Sequence, residues 1–384
     1  MLMRTTLNYG RFLNFEFIDV YNNGHIVLSR IVYLFGAGAS FGKRGEKSLD
    51  FRTERLTDKG VISGAGSCAR IESGVPVVNE ISGRLAFFIH NLVCLLNKPS
   101  NGLDNKKLQK LIDDLEWLLE MTSRHATIDT FAKKLFLTNN QTDYQKLKNL
   151  LLLFLFYEQL GNEPDQRYDT FLASILQNDV NHLPDDITIV SWNYDFQFEI
   201  AYNEYVKADN LSLLSEIFLH SHDKVSERRG GESFHPHKGF NLLKLNGSAF
   251  VASDRSFFEA RKNKDLTSIV ELYFKLDIKN NRISFAWEKM NDQYIQRVGD
   301  CISDAKVLVV IGYSFPFFNR EVDRVLFEKM PALEKIYIQD PNANTVKLSL
   351  QPVLSKTQLS VTHLDRNIVT LEADPKQFFM PPEL

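Results

Sequence analysis

The residues able to do chemistry in this chain stand at the ends of short apolar runs. Ile31-Val-Tyr-Leu-Phe35 stops abruptly at Gly36-Ala37-Gly38-Ala39-Ser40. A buried strand running into such a turn usually opens a helix whose free N–H groups face an anion, so the stretch reads as a seat for a pyrophosphate. A tight strand-to-helix turn without a ligand is the plain alternative. Two standard phosphate-binding patterns do not fit. A dinucleotide fingerprint requires G-x-G-x-x-G, and the third glycine, Gly42, comes one residue late. A Walker A loop requires four residues between its glycines, whereas Gly38 and Gly42 enclose three, and Arg44 replaces the magnesium-binding Ser or Thr. The remaining chemistry-bearing cluster is His220-Ser-His222-Asp223 with His235 and His237. It lies in a polar, loop-like stretch, and no metal is expected there.

Four further apolar runs end in polar turns. Ile187–Trp192 leads into Asn193-Tyr-Asp195, with a helix expected from Phe196 to Tyr205. Leu242–Leu245 leads into Asn246-Gly-Ser248, and Val307–Ile311 into Gly312-Tyr-Ser314-Phe-Pro316, with a helix from about Arg320. Lys335–Gln339 leads into Asp340-Pro-Asn342. Short apolar runs alternating with helices mean a parallel sheet covered on both faces, an α/β, Rossmann-like fold. In such sheets ligands bind beyond the carboxyl ends of the strands, where all of these turns sit.

Four segments make up the chain. Residues 1–30 form a strand or hairpin ahead of the core. Residues 31–79 hold the first βα unit, with a polar, glycine-dotted exposed insertion at about 43–73 to which no secondary structure is assigned. Residues 80–180 are a largely helical insertion. Asn79 is its expected N-cap, followed by Ile81, Leu85, Phe88, Ile89 and Leu92 at helical spacing. The stripe Leu108, Leu111, Ile112, Leu115, Leu118 and Leu119 continues it, and helices are expected over 131–137, 144–160 and 168–177. Residues 181–384 complete the sheet.

Composition narrows the function classes. A net charge of −3 gives no direct indication of a nucleic-acid partner. The three cysteines are far apart with no CxxC pair, which argues against a zinc ribbon or a disulfide framework and suits a cytoplasmic setting. The most apolar run, Leu150–Tyr157, is far short of the roughly 20 residues of a membrane span and reads as buried helix. The N-terminus lacks the pattern of a signal peptide.

Taken together, Gly36–Ser40, Gly74–Pro76, Trp192–Asp195, Lys244–Ser248 and Gly312–Pro316, with Asp340–Asn342 as a weaker sixth segment, resemble in order and kind the bacterial NAD-consuming branch of the sirtuin-like family. The resemblance implies a Rossmann-like sheet that binds NAD as substrate and cleaves its nicotinamide–ribose bond, giving nicotinamide and ADP-ribose. It places Gly36, Ala37, Gly38, Ala39 and Ser40 around the pyrophosphate and counts Pro76 among the cofactor-binding residues. Asn193 and Asp195 fall at the nicotinamide ribose, Gly312 and Ser314 at the phosphates and adenosine ribose, and Asp340 or Asn342 at the adenosine end. Loss of nicotinamide leaves an oxocarbenium-like ribose. Asn193 can hold a water and a hydroxyl, and Asp195 can stabilise positive charge or orient Asn193. Asp195 could instead simply cap the helix after it. Two departures stand out. The family's general-base histidine is here Asn246, which cannot take a proton at neutral pH. His235 and His237 are substitutes by sequence proximity alone. The zinc cysteines of protein-deacylating relatives are absent, which removes much of the case for an acyl-lysine substrate. The implied role is an antiphage effector that depletes NAD, restrained as a homo-oligomer or by a HerA-type ATPase or other sensor partner. The alternative is a catalytically impaired module that binds NAD or ADP-ribose and signals to a partner.

Overall fold

The structure, a computed structural model, describes residues 30–57, 60–98, 103–177, 179–206, 240–249, 261, 266–276, 283–288, 292–354 and 367–384. The expected N-terminal strand or hairpin, but for Arg30, and the histidine cluster at 220–237 lie outside the described residues. Six parallel strands form one sheet: β1 (Arg30–Phe35), β4 (Ile187–Ser191), β5 (Asn241–Lys244), β6 (Ala305–Ile311), β7 (Lys335–Gln339) and β8 (Ile368–Leu371). Their order is β5-β4-β1-β6-β7-β8. The fold is therefore the expected α/β, Rossmann-like one.

Every residue of β1 is buried, as a central parallel strand requires. The pleat sends Ile31, Tyr33 and Phe35 to one face and Val32 and Leu34 to the other. The first face packs on α5 (Gln166–Ile175), α6 (Gln197–Val206) and Phe378 of the C-terminal segment. The second packs on α8 (Asp292–Ile302), α9 (Arg320–Glu328) and α10 (Ala343–Leu354). Helices α1 (Ile81–Leu96), α2 (Asn105–Arg124), α3 (Ile128–Leu137), α4 (Gln141–Gly161) and α7 (Leu266–Lys275) build a separate apolar cluster, which Phe196 and Ile200 tie to the sheet. Leu150–Tyr157 is buried throughout, inside α4.

Register decides where the chemistry lies. Phe35 pairs with both Ser191 and Ile311, Ser191 pairs with Lys244, and Ile311 with Gln339. The five strands thus end on one row, and Gly36, Trp192, Leu245, Gly312 and Asp340 leave the sheet side by side.

Two expectations need correction, and two elements are added. The glycine turn does not open a helix. It makes one 3-10 turn, Ala37–Ser40, and Gly42, at φ +65°, then diverts the chain. The stretch 43–73, to which the sequence reading assigned no strands, holds an antiparallel hairpin, β2 (Leu49–Thr57) with β3 (Gly60–Cys68). An isolated hairpin is marginal in water. This one leans on α1, where the Phe51 ring meets Phe87 and His90. Asn79 does not cap α1 but lies in a short 3-10 turn, and Glu80 takes up the Val77 amide instead. In addition, β8 is a sixth strand the sequence reading passed over.

Arg44 fixes the hairpin root. Its guanidinium donates to the Glu80 carboxylate at 2.7 and 2.6 Å, to the Val75 carbonyl at 3.0 Å and to the Phe41 carbonyl. Arg44→Ala should therefore lower the unfolding free energy by about 1–3 kcal/mol in urea titrations. It should also speed proteolytic cleavage within 43–73.

Candidate active site at the strand ends

The floor of the site is a backbone-to-backbone contact. Gly38 donates its N–H to the Gly312 carbonyl at 2.9 Å, and Gly36 donates to Ile311 at 3.0 Å. A Cβ on Gly38 would stand 2.6 Å from Gly312 Cα, and one on Gly312 would stand 2.4 Å from Gly38 Cα. These glycines are thus required by the fold itself. Of the N–H groups read as an anion seat, those of Gly36, Gly38 and Ala39 are already bonded within the protein. Ala37 is exposed at the rim of the turn.

Asn193 leaves β4 beside this turn. Its Nδ2 donates to the Gly36 carbonyl at 2.8 Å and to Ser40 Oγ at 3.2 Å. Ser40 Oγ shares a 2.9 Å hydrogen bond with Tyr168 OH. The Asn193 amide therefore first holds the glycine turn in place. Asp195 is buried, and its Oδ1 accepts the Gln197 N–H at 3.1 Å, so it does cap α6. Burial raises its pKa above the usual carboxylate value. The Lys244 ammonium, the Gln197 amide and the Ser40 hydroxyl pull the other way. Lys244, reaching from β5, donates to the Asp195 carbonyl and pairs with Glu199 at 3.2 Å.

Asn246 follows β5 and is only 8% exposed. Its Nδ2 donates to the Trp192 carbonyl at 3.3 Å, which fixes the amide's orientation. Its Oδ1 is buried with no hydrogen-bond partner among the described residues. A buried acceptor left unpaired costs about 1–3 kcal/mol, so this oxygen is suited to a ligand donor.

The other expected residues spread along the same row. Pro76 is buried just after Gly74, whose neighbour Val75 donates to the Ser40 carbonyl at 2.8 Å. Ser314 is exposed beyond Gly312. Asp340 Oδ1 accepts the Asn342 N–H at 2.7 Å at the start of α10, and Asn342 is exposed. A cavity of about 440 Å³ at the hairpin root, lined by Arg84 and Glu158 among others, includes none of these turns.

Three supporting residues escaped the sequence reading. Asp165 Oδ2 accepts the Gly42 N–H at 2.7 Å. Arg167 donates to the Gly38 carbonyl at 2.7 Å and lies over the Phe378 ring. Asp165 caps α5 and Arg167 lies in its first turn, and the apolar spacing of that helix drew attention first. Asp323, fully buried on α9, accepts from Trp192 and Tyr313 at the ends of β4 and β6. Its position in an amphipathic helix gave no signal.

Among the described residues, no group of three or more His, Cys, Asp or Glu side chains could hold a metal. No helix among them is long and apolar enough to cross a membrane. No family model, curated protein or solved structure matches the chain.

Gly38→Ala should lower stability by about 1–3 kcal/mol, since a methyl group there forces the floor apart. Gly64→Ala, whose added carbon meets nothing within 4 Å, should stay within about 0.5 kcal/mol of wild type. Parallel urea unfolding curves check both.

Proposed function

We propose that the row of turns binds NAD and cleaves its nicotinamide–ribose bond. The observation that carries this reading is the meeting of Gly36–Ser40 and Gly312 at the switch point of the sheet, with Asn246 Oδ1, at the end of β5 on the same row, unpaired among the described residues. Strand order reverses between β1 and β6, and such a crevice is where open α/β sheets take nucleotides. The bond between the anomeric carbon and the nicotinamide nitrogen breaks, the electron pair leaves with nicotinamide, and water adds to the oxocarbenium-like ribose, its surplus proton passing to solvent. In its ionised form Asp195 stabilises that positive character. Asn246 offers its carbonyl to a ribose hydroxyl. In a cell such an enzyme drains NAD, which fits the antiphage role and calls for restraint by a second copy or a sensor partner.

A second reading has an observation of its own. The Asn193 amide donates to Gly36 and Ser40, and Asn246 is no proton acceptor. A site with an amide where the family has its general-base histidine favours an NAD- or ADP-ribose-binding module that signals to a partner.

Nicotinamide release from NAD, followed by chromatography with the purified chain, separates the two. Release by wild type, lowered about 100-fold or more in Asn193→Ala, is the outcome expected for the enzyme. Asn246→Ala should weaken NAD binding about 10-fold by calorimetry. Binding without release supports the second reading, and neither binding nor release contradicts both.

A further inference from the structure

The loop after β6 is held in an unfavourable conformation. Gly312 has φ +57°, and Phe315, a bulky side chain, has φ +53°. A left-handed residue of that kind costs about 1–2 kcal/mol and persists only where its surroundings fix it. The Phe315 ring is buried against Tyr313 and Phe327. The polar anchor is Asp323. Tyr313 OH donates to its carboxylate, with Oδ1 at 3.0 Å and Oδ2 at 2.9 Å, and Trp192 Nε1 donates to Oδ1 at 3.2 Å. The Trp192 and Tyr313 rings stack with centroids 5.9 Å apart, and Asn319 donates to Tyr313 OH at 3.1 Å. One carboxyl group therefore joins the end of β4 to the end of β6.

Both tethered residues adjoin the site. Trp192 precedes Asn193, and its carbonyl receives the Asn246 amide. Tyr313 follows Gly312, which abuts Gly38. We propose that Asp323 is a positioning residue, a latch whose carboxyl group holds the loops after β4 and β6 in register and sets ligand affinity through them. The affinity part rests on the NAD reading above; the latch does not.

The latch is sensitive to protonation. Burial pushes Asp323 up to about 8, while the hydrogen bonds from Tyr313 and Trp192 and the charge of Arg320 oppose that rise. Arg320, on the same helix, makes no ion pair with it among the described residues and lies over the Phe317 ring. Tyr313, at the end of β6, is the titratable neighbour. Above the transition the carboxylate only accepts, and its bonds to Trp192 and Tyr313 are charge-assisted. Below it the group carries its own proton, which Tyr313 OH can accept and the Trp192 indole cannot, and its bonds lose their charge assistance. For an acid whose pKa is higher folded than unfolded, the folded form holds the extra proton between the two values. Stability therefore falls as pH rises from about 4 to about 8 and levels off above.

The test follows the three tryptophan indole N–H signals of the full chain by NMR from pH 6 to 10, assigning Trp192 by its loss in Trp192→Phe. The Trp192 signal should titrate with a midpoint near 8. It should not titrate in Asp323→Asn. If either variant fails to fold, Trp117→Phe and Trp287→Phe assign the signal by elimination, and the wild-type titration alone decides. A Trp192 signal that stays flat in wild type overturns the latch. Calorimetry with NAD should then show affinity about 3- to 10-fold tighter at pH 9 than at pH 6.5 in wild type, with no such change in Asp323→Asn. Equal affinity at both pH values overturns the link to binding. If NAD binds at neither pH, the NAD reading fails while the indole titration still judges the latch.

Discussion

The structure depends on one close approach, that of the Gly38 backbone to the Gly312 backbone. Neither position has room for a side chain, because each Cβ would fall within 2.6 Å of the other's Cα. That contact closes the crevice between β1 and β6 from below. Everything around it acts to keep it closed. Asn193 and Ser40 hold one turn, Arg167 and Asp165 brace that turn from α5, and Tyr313 anchors the other through Asp323.

The elements outside the sheet serve the same floor. The C-terminal segment buries Phe378 against Phe35, Tyr168 and Arg167, all of which border the first glycine turn. Tyr33 and Gln339 bond the backbone of Phe379 and keep that segment in place. The hairpin leaves and rejoins the chain at one point, where Gly42 lies against Ser73 and Gly74 against Ser40. Arg44 ties both ends to Glu80. The helical layer reaches the strand ends through α4, where Gln159 Oε1 accepts the Phe196 N–H at 2.7 Å. Buried polar bonds of this kind are worth more for the geometry they impose than for net stability.

The sheet was legible in the sequence because buried parallel strands are short apolar runs that stop at polar turns. Residues 31–35, 187–191 and 335–339 show this with little error at the boundaries. β8 was passed over because it is a short edge strand far from the motifs. The hairpin was missed because its glycines and charges hide the strand pattern, and antiparallel pairing leaves no mark of its own when one strand is Gly60-Val-Ile-Ser-Gly-Ala-Gly-Ser-Cys68. The site was partly legible. Polar residues at strand ends announce themselves, so Asn193, Asp195 and Asn246 could be named. What each side chain bonds to could not be read from spacing. Asn193 faces the glycine turn and Asp195 caps a helix because of contacts across more than a hundred residues of chain or within the next turn. Asp323 and Arg167 sit in helices whose periodicity reads as packing, and only three-dimensional contact gives them a role.

Amide hydrogen exchange on the segments 36–42 and 311–317, with and without saturating NAD, tests the central claim most directly. A nucleotide seated at the switch point should slow exchange in both segments together, while 105–124 on the remote side of the helical layer stays unchanged. Unaltered exchange in both segments at NAD concentrations well above any physiological level would contradict a nucleotide site between β1 and β6.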